Sequence, residues 1–219
     1  MDNPELIRRP LKTRGAKWAA KSAQRLAKIG FRPNQISLLS IVCAMAAATC
    51  FLAVNYYDSP NTKILYLIGA AVFIQLRLLC NLFDGMVAVE GGFRSKSGEV
   101  YNDLPDRISD VLIMVAVGYS LSDLRFGIVL GWIAAILSLL TAYVRVLAGS
   151  CGVKQDFCGP MAKPHRMATL TFACILAVGE ILLQWPSRVL IVALGVIAVG
   201  SIITVARRAS RLVQTLESK

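Results

Sequence analysis

Residues 77–110 read RLLCNLFDGMVAVEGGFRSKSGEVYNDLPDRISD, a polar stretch rich in carboxylates, amides and glycines set in a chain that is otherwise long and apolar. Asn81, Asp84, Gly85 and Ala88 fall at i, i+3, i+4 and i+7, one face of a helix. Gly98, Asn102, Asp106 and Asp110 follow at steps of four, again one face. Between the two sets, Glu90-Gly91-Gly92 and Ser95-Lys96-Ser97 predict a turn. The spacing therefore predicts two helices that meet at a polar tip and turn oxygen-bearing stripes toward each other, as a hard divalent cation such as Mg²⁺ requires.

The surrounding chain fixes the fold class. At 219 residues, 56% hydrophobic and mean hydropathy +0.59, it is too apolar for a soluble domain of its length. Apolar runs at about 34–55, 64–88, 102–120, 126–148, 167–184 and 188–206 each approach the roughly 20 residues that cross a bilayer. The expectation is an all-α integral membrane protein with six transmembrane helices in one domain, residues 33–206. Residues 1–32 hold nine Lys or Arg and two acids. Within them Trp18, Ala19, Ala20, Ala23, Leu26, Ala27 and Ile29 alternate with Lys17, Lys21, Arg25 and Lys28, which predicts an amphipathic helix lying in the membrane interface. Pro33 suits the start of the first span, with Asn34 or Ser37 as its cap. Residues 207–219 form a basic tail.

The net charge of +11 suggests a nucleic-acid partner only until its distribution is considered. The basic residues gather at the two ends and in short loops, a pattern suited to anionic lipid headgroups and phosphorylated substrates. With six spans, the side holding both ends, the motif turn and the 149–166 loop carries eighteen Lys or Arg, against Lys63, Arg125 and Arg188 on the other. Both termini and the motif are thus expected at the cytoplasmic face of the inner membrane. None of the six cysteines forms a C-x-x-C pair, and most read as small buried apolar residues rather than a disulfide framework or zinc site.

Charges inside spans are costly unless paired or facing a wet cavity. Arg77, Asp84, Asp106, Arg107, Asp110, Arg145 and Glu180 are the cases here. Any one of them alone reads as a helix-to-helix pairing; the spaced set Asn81, Asp84, Asn102 and Asp106 reads as a site. Arg145, Lys154, Lys163, His165 and Arg166 form a second polar cluster on the same side, in part simply positive-inside residues.

Five of these positions, Asp84, Gly85, Ala88, Gly98 and Asp106, fit without a gap the pattern D-x-x-D-G-x-x-A-R, eight residues, G-x-x-x-D-x-x-x-D. In this the chain resembles the CDP-alcohol phosphatidyltransferases, over about residues 33–206, as a variant branch. Asn81 and Asn102 replace two aspartates and Val89 replaces the arginine. The resemblance implies transfer of a phosphatidyl or similar phospho-group from a CDP-linked donor, CDP-diacylglycerol, to a small alcohol, with release of CMP. It implies two divalent ions, Mg²⁺ or Mn²⁺, held by Asn81, Asp84, Asn102 and Asp106, with Asp106 also the general base on the acceptor hydroxyl. It places the donor nucleotide against Asp84, Gly85, Ala88 and Gly98, and phosphate groups near Arg145, Lys163 and Arg166. It also implies a homodimer. Missing bulk at Gly85, Ala88 and Gly98 allows close approach of a nucleotide and equally suits tight helix packing in lipid. Two amides remove two negative charges and ligate cations more weakly than carboxylates, so the ion pair is expected to be weakened. Glu90, Asp103 and Asp110 are the acids positioned to compensate, and Arg94 or Arg77 the cations positioned to replace the motif arginine. A catalytically silent relative and a small transporter are the alternatives; the clustering of charge at one membrane face argues against the transporter.

Overall fold

The computed structural model describes residues 17–93 and 97–218, all but the side chains of Lys17, Glu90 and Glu99. The first sixteen residues of the expected amphipathic segment, and Arg94, Ser95 and Lys96 of the motif turn, lie outside the described residues. The described residues form seven helices: α1 (Lys17–Ile29), α2 (Pro33–Ala53), α3 (Pro60–Glu90), α4 (Gly98–Tyr119), α5 (Gly127–Ser150), α6 (Lys163–Leu182) and α7 (Val189–Glu217). Among the described residues there is no strand.

Among the described residues five helices, α2, α3, α5, α6 and α7, are long and apolar enough to cross a membrane, and the protein is an integral membrane protein. Six such spans are expected from the sequence, and the exception is α4. It is 22 residues long, but Asn102, Asp103, Asp106, Arg107 and Asp110 fill its first half with polar groups, so its apolar part is too short to qualify. Residues 207–217 of the basic tail continue α7 without a break, because nothing after Thr204 stops a helix and Leu212 extends its buried face.

Packing separates two faces on each helix. Small residues lie inside, such as Ala44, Ala47 and Ala48 on α2 and Ala134, Ala135 and Ala142 on α5, while Leu38, Leu39, Val42, Met45, Leu65, Ile68, Val72, Phe172 and Ile175 stand exposed. In lipid this is the economical arrangement, since burial of large apolar groups between helices gains little and close backbone approach gains dispersion contacts. α4 and α5 approach closely: a Cβ on Gly118 would stand 2.8 Å from the Gly131 Cα, and one on Gly131 2.6 Å from the Gly118 Cα. α2 packs on α3 and α4, α3 on α6, and α5 and α6 on α7, so α4 is surrounded by helices at its polar end.

α1 has the predicted amphipathic character. Ala19 and Ala23 are buried against Ile36, Leu82, Met86 and Val87, Trp18 meets Phe83 edge-on at 6.3 Å, and Lys21, Arg25 and Lys28 face outward. It therefore rests on the half of α3 that carries the motif. Pro33 is the first residue of α2 as expected, but neither Asn34 nor Ser37 caps it. The Gln35 side chain accepts the Arg32 amide at 3.0 Å, leaving Ser37 for another use. Glu180, an isolated charge in the sequence, accepts the amides of Arg188 and Val189 at 2.9 and 3.0 Å. It thereby satisfies donors around the start of α7 that the helix itself cannot.

Candidate active site

The stripe Gly98, Asn102, Asp106, Asp110 does not stay on one line. Steps of four advance a helix by more than a full turn, so successive residues rotate about α4. Asn102 is exposed, Asp106 is 7% exposed and faces a cavity, and Asp110 is fully buried among helices. Their surroundings give them three different roles.

Asp110 is a structural anchor. Its Oδ1 accepts from Arg77 of α3 at 2.7 Å and its Oδ2 from Arg166 of α6 at 2.6 Å. Arg77 also donates to the Asp106 carbonyl at 3.1 Å, and Arg166 to Thr141 Oγ1 and the Met161 carbonyl at 3.1 and 2.9 Å. A buried carboxylate in lipid needs such partners, and two guanidinium groups bracketing it tie three helices together. Neither Asp110 nor Arg77 is therefore available to make good the substitutions in the motif. Asp103 is likewise engaged, by Arg107 at 3.1 Å and Arg145 at 2.5 Å.

Asp106 differs from both. One oxygen, Oδ2, is ion-paired with Lys163 at the start of α6. The other, Oδ1, is buried with Arg77 3.7 Å away and no hydrogen bond. Asp106 borders a cavity of about 200 Å³ whose walls include Asn81, Asn102, Thr141 and Phe157, with Asp103 and Asp106 as carboxylates and Arg107, Arg145, Lys163, Arg166 and Arg208 as cations. Five cations against two carboxylates make this an anion-seeking space. The Asn81 Nδ2, buried and without a hydrogen-bond partner, adds a donor to it. Asp84 is 3% exposed and accepts Ser37 Oγ at 2.7 Å. It lies within electrostatic reach of Asp106 and Lys163 but is not part of the cavity wall. Gly85 and Ala88 are half-buried along α3, Gly98 opens α4, and Val89, at the motif arginine position, is exposed.

These residues fit a pair of divalent ions poorly. Among the described residues no three His, Cys, Asp or Glu side chains converge as a metal site. The two amides carry no charge, Asp84 is occupied by Ser37, and a lysine already sits on Asp106. Like unit charges 4 Å apart repel by about 4 kcal/mol at an effective dielectric of 20, and a dication doubles this to about 8 kcal/mol beside the Lys163 ammonium.

Arg208, Thr141 and Phe157 escape the sequence reading. Arg208 is 6% exposed and donates to the Cys158 and Thr141 carbonyls at 2.9 and 2.6 Å. The signal for it is periodicity: Gly200, Thr204, Arg208 and Leu212 are buried at steps of four on α7. Phe157 lies under the Arg145 guanidinium, 5.5 Å from ring centroid to Cζ, a cation–π contact. It is positioned by a loop pinned to α7 at Gly159. There φ is +115° and a Cβ would stand 2.5 Å from Thr204 Cγ2, so only glycine fits. Beyond Arg145 and Arg208 a second cavity of about 720 Å³ adds Lys154, Asp156 and Arg211. Burial pushes the Asp156 carboxyl up, but the Cys158 hydrogen bonds and Arg211, 3.1 Å away, outweigh it and hold the group below the usual carboxylate range.

Comparison with known proteins gives the family and the fold. Residues 31–206 match the family model described as CDP-alcohol phosphatidyltransferase. The phosphatidylinositol phosphate synthase of Mycobacteroides abscessus is 27% identical over 199 residues, 88% of this chain and 82% of that protein. An uncharacterised protein of Aquifex aeolicus is 30% identical over 155 residues, 70% of this chain and 73% of its own length. The crystal structure of Mycobacterium tuberculosis phosphatidylinositol phosphate synthase with CDP-DAG bound superposes with a TM-score of 0.75 at 22% identity, covering 90% of this chain and 94% of that one. The same enzyme in complex with manganese and citrate gives 0.73 at 22% identity, covering 89% and 88%. The chain belongs to the CDP-alcohol phosphatidyltransferase family, the membrane transferases of phospholipid synthesis.

Proposed function

We propose that this protein moves a phosphatidyl or similar phospho-group from CDP-diacylglycerol to a small alcohol that itself carries a phosphate, releasing CMP. The observation that carries this reading is the position of Asp106, whose Oδ1 has no hydrogen bond, in the wall of a cavity with a surplus of cations. The acceptor hydroxyl gives its proton to Asp106 as its oxygen bonds to the phosphatidyl phosphorus. The bond from that phosphorus to the CMP oxygen breaks, and CMP departs with the electron pair. Charge builds on the phosphoryl oxygens and the leaving group, and preorganised cations in a water-poor site stabilise it. Lys163 and Arg145 face that charge, with Arg208 beside them. Arg166, occupied by Asp110, Thr141 and Met161, shapes the pocket more than it grips a ligand. Asn81 Nδ2 is a donor for a diphosphate oxygen, and Gly85, Ala88 and Gly98 leave room for the nucleotide.

A relative of the same fold holds CDP-DAG, and a second structure of it holds manganese and citrate; the donor assignment leans on the first. A divalent ion at Asp84 or Asp106 would add Lewis acidity at the diphosphate, and the expected pair of ions narrows to what two carboxylates can hold. The active site is inferred at the cytoplasmic face, where the chain concentrates its basic residues, and the homodimer follows from the family resemblance.

The test is incubation of the purified protein with CDP-diacylglycerol and a panel of alcohols, phosphorylated and not, followed by mass spectrometry of the lipids. The reading predicts a new phospholipid from phosphorylated acceptors. Product from unphosphorylated alcohols only would overturn the acceptor class, and no product from any acceptor would overturn the function.

A further inference from the structure

The contact between Lys163 and Asp106 has a consequence for metal binding. The signature of the family prescribes four carboxylates at positions 81, 84, 102 and 106, and this chain retains two. Of these, Asp106 already has a counter-ion from its own chain: the Lys163 ammonium is ion-paired with Oδ2, the side chains being 18% and 10% exposed. Asp84 stands back from the cavity and holds the Ser37 hydroxyl at 2.7 Å. The other nearby carboxylates are neutralised by guanidinium groups, Asp103 by Arg107 and Arg145, Asp110 by Arg77 and Arg166. At position 81 an amide nitrogen is left buried without a partner, and a donor there suits an anionic oxygen and not a cation.

We propose that Lys163 is a resident cation replacing one divalent ion at Asp106, so that each chain binds no more than one divalent ion. The two asparagines and the lysine then act in the same direction. Lowering the negative charge of the four positions matches the replacement of a dication by an ammonium, and positive charge still reaches the diphosphate. A lysine that merely fills space beside Asp106 would give way to a second ion when metal is supplied. The identity of the diphosphate rests on the transferase reading, but counting ions needs no turnover, so the two can fail separately.

The experiment is titration of the full-length protein in detergent with Mn²⁺, free ion being read by its electron paramagnetic resonance signal. The expected stoichiometry is at most one Mn²⁺ per chain. Lys163→Met, which keeps the side chain's length and removes its charge, should tighten Mn²⁺ binding at least about tenfold by lifting a like-charge repulsion, and Lys163→Arg should not. Two Mn²⁺ per wild-type chain overturns the proposal, as does a Lys163→Met protein, monodisperse on gel filtration, whose Mn²⁺ affinity is unchanged. Should Lys163→Met fail to fold, the wild-type stoichiometry still decides.

Discussion

Asp110 of α4 and Arg166 of α6 meet at 2.6 Å with each side chain 1% exposed, and Arg77 closes the other side of the carboxylate at 2.7 Å. Removing one partner of a buried ion pair leaves an uncompensated charge and costs about 3–5 kcal/mol. Asp110→Leu, which strands two arginines, should therefore lower the thermal unfolding midpoint in detergent sharply. Asp103→Asn breaks pairs that are about one-third exposed at the carboxylate and should cost about 1 kcal/mol or less. Equal shifts for the two would remove the structural role given to Asp110.

Arg145 and Arg208 line both cavities. If they bind the acceptor's phosphate, Arg145→Ala should lose a charge-assisted contact of about 1.5–3 kcal/mol, a rise of roughly ten- to a hundredfold in acceptor KM. The KM for the CDP-linked donor should move much less. Steady-state kinetics with each substrate varied separately checks this, and a rise confined to the donor would place the phosphate elsewhere.

At the α4–α5 crossing, Gly118 and Gly131 leave no space for a methyl group on either side. Gly131→Ala should force the helices apart and destabilise by about 1–3 kcal/mol, with a drop in unfolding midpoint and in activity, since α4 carries Asp106 and α5 carries Arg145. Gly195, with no atom within 4 Å of an added Cβ, is the control: Gly195→Ala should leave stability unchanged or raise it, because alanine favours the helix by about 1 kcal/mol.

Orientation is tested at Cys151, an exposed free cysteine in the loop whose Phe157 forms a wall of the site. A membrane-impermeant maleimide should label it in inside-out vesicles and not in sealed right-side-out ones. Labelling only in the latter would put the site on the outer face.

The sequence announces the two halves of the site clearly, because five motif positions at fixed spacing leave little freedom once they lie on helices. It also announces α1, whose Lys21, Arg25 and Lys28 alternate with buried alanines. Periodicity by itself does not separate Asp106 from Asp110, since both fit the same step of four; the family resemblance is what singles out Asp106. Only the rotation of that stripe against α3 and α6 decides which carboxylate is enclosed by arginines and which meets the cavity. Lys163 reads as one basic residue among several in the 149–166 loop, and its pairing with Asp106 depends on α6 docking against α3, a contact between segments far apart in the chain. Arg208 is hidden for a related reason: a basic residue past an apolar run suggests a solvated tail, whereas α7 continues and carries it inward.

The most direct test of the account is CMP release by the purified protein in mixed micelles of detergent and CDP-diacylglycerol, with a phosphorylated alcohol added or withheld, for the wild type beside Asp106→Asn. The account predicts CMP formation that depends on the acceptor and falls about a hundredfold or more in the variant, the scale of a lost general base, while the variant remains folded. Acceptor-dependent CMP release at the wild-type rate from Asp106→Asn would contradict it.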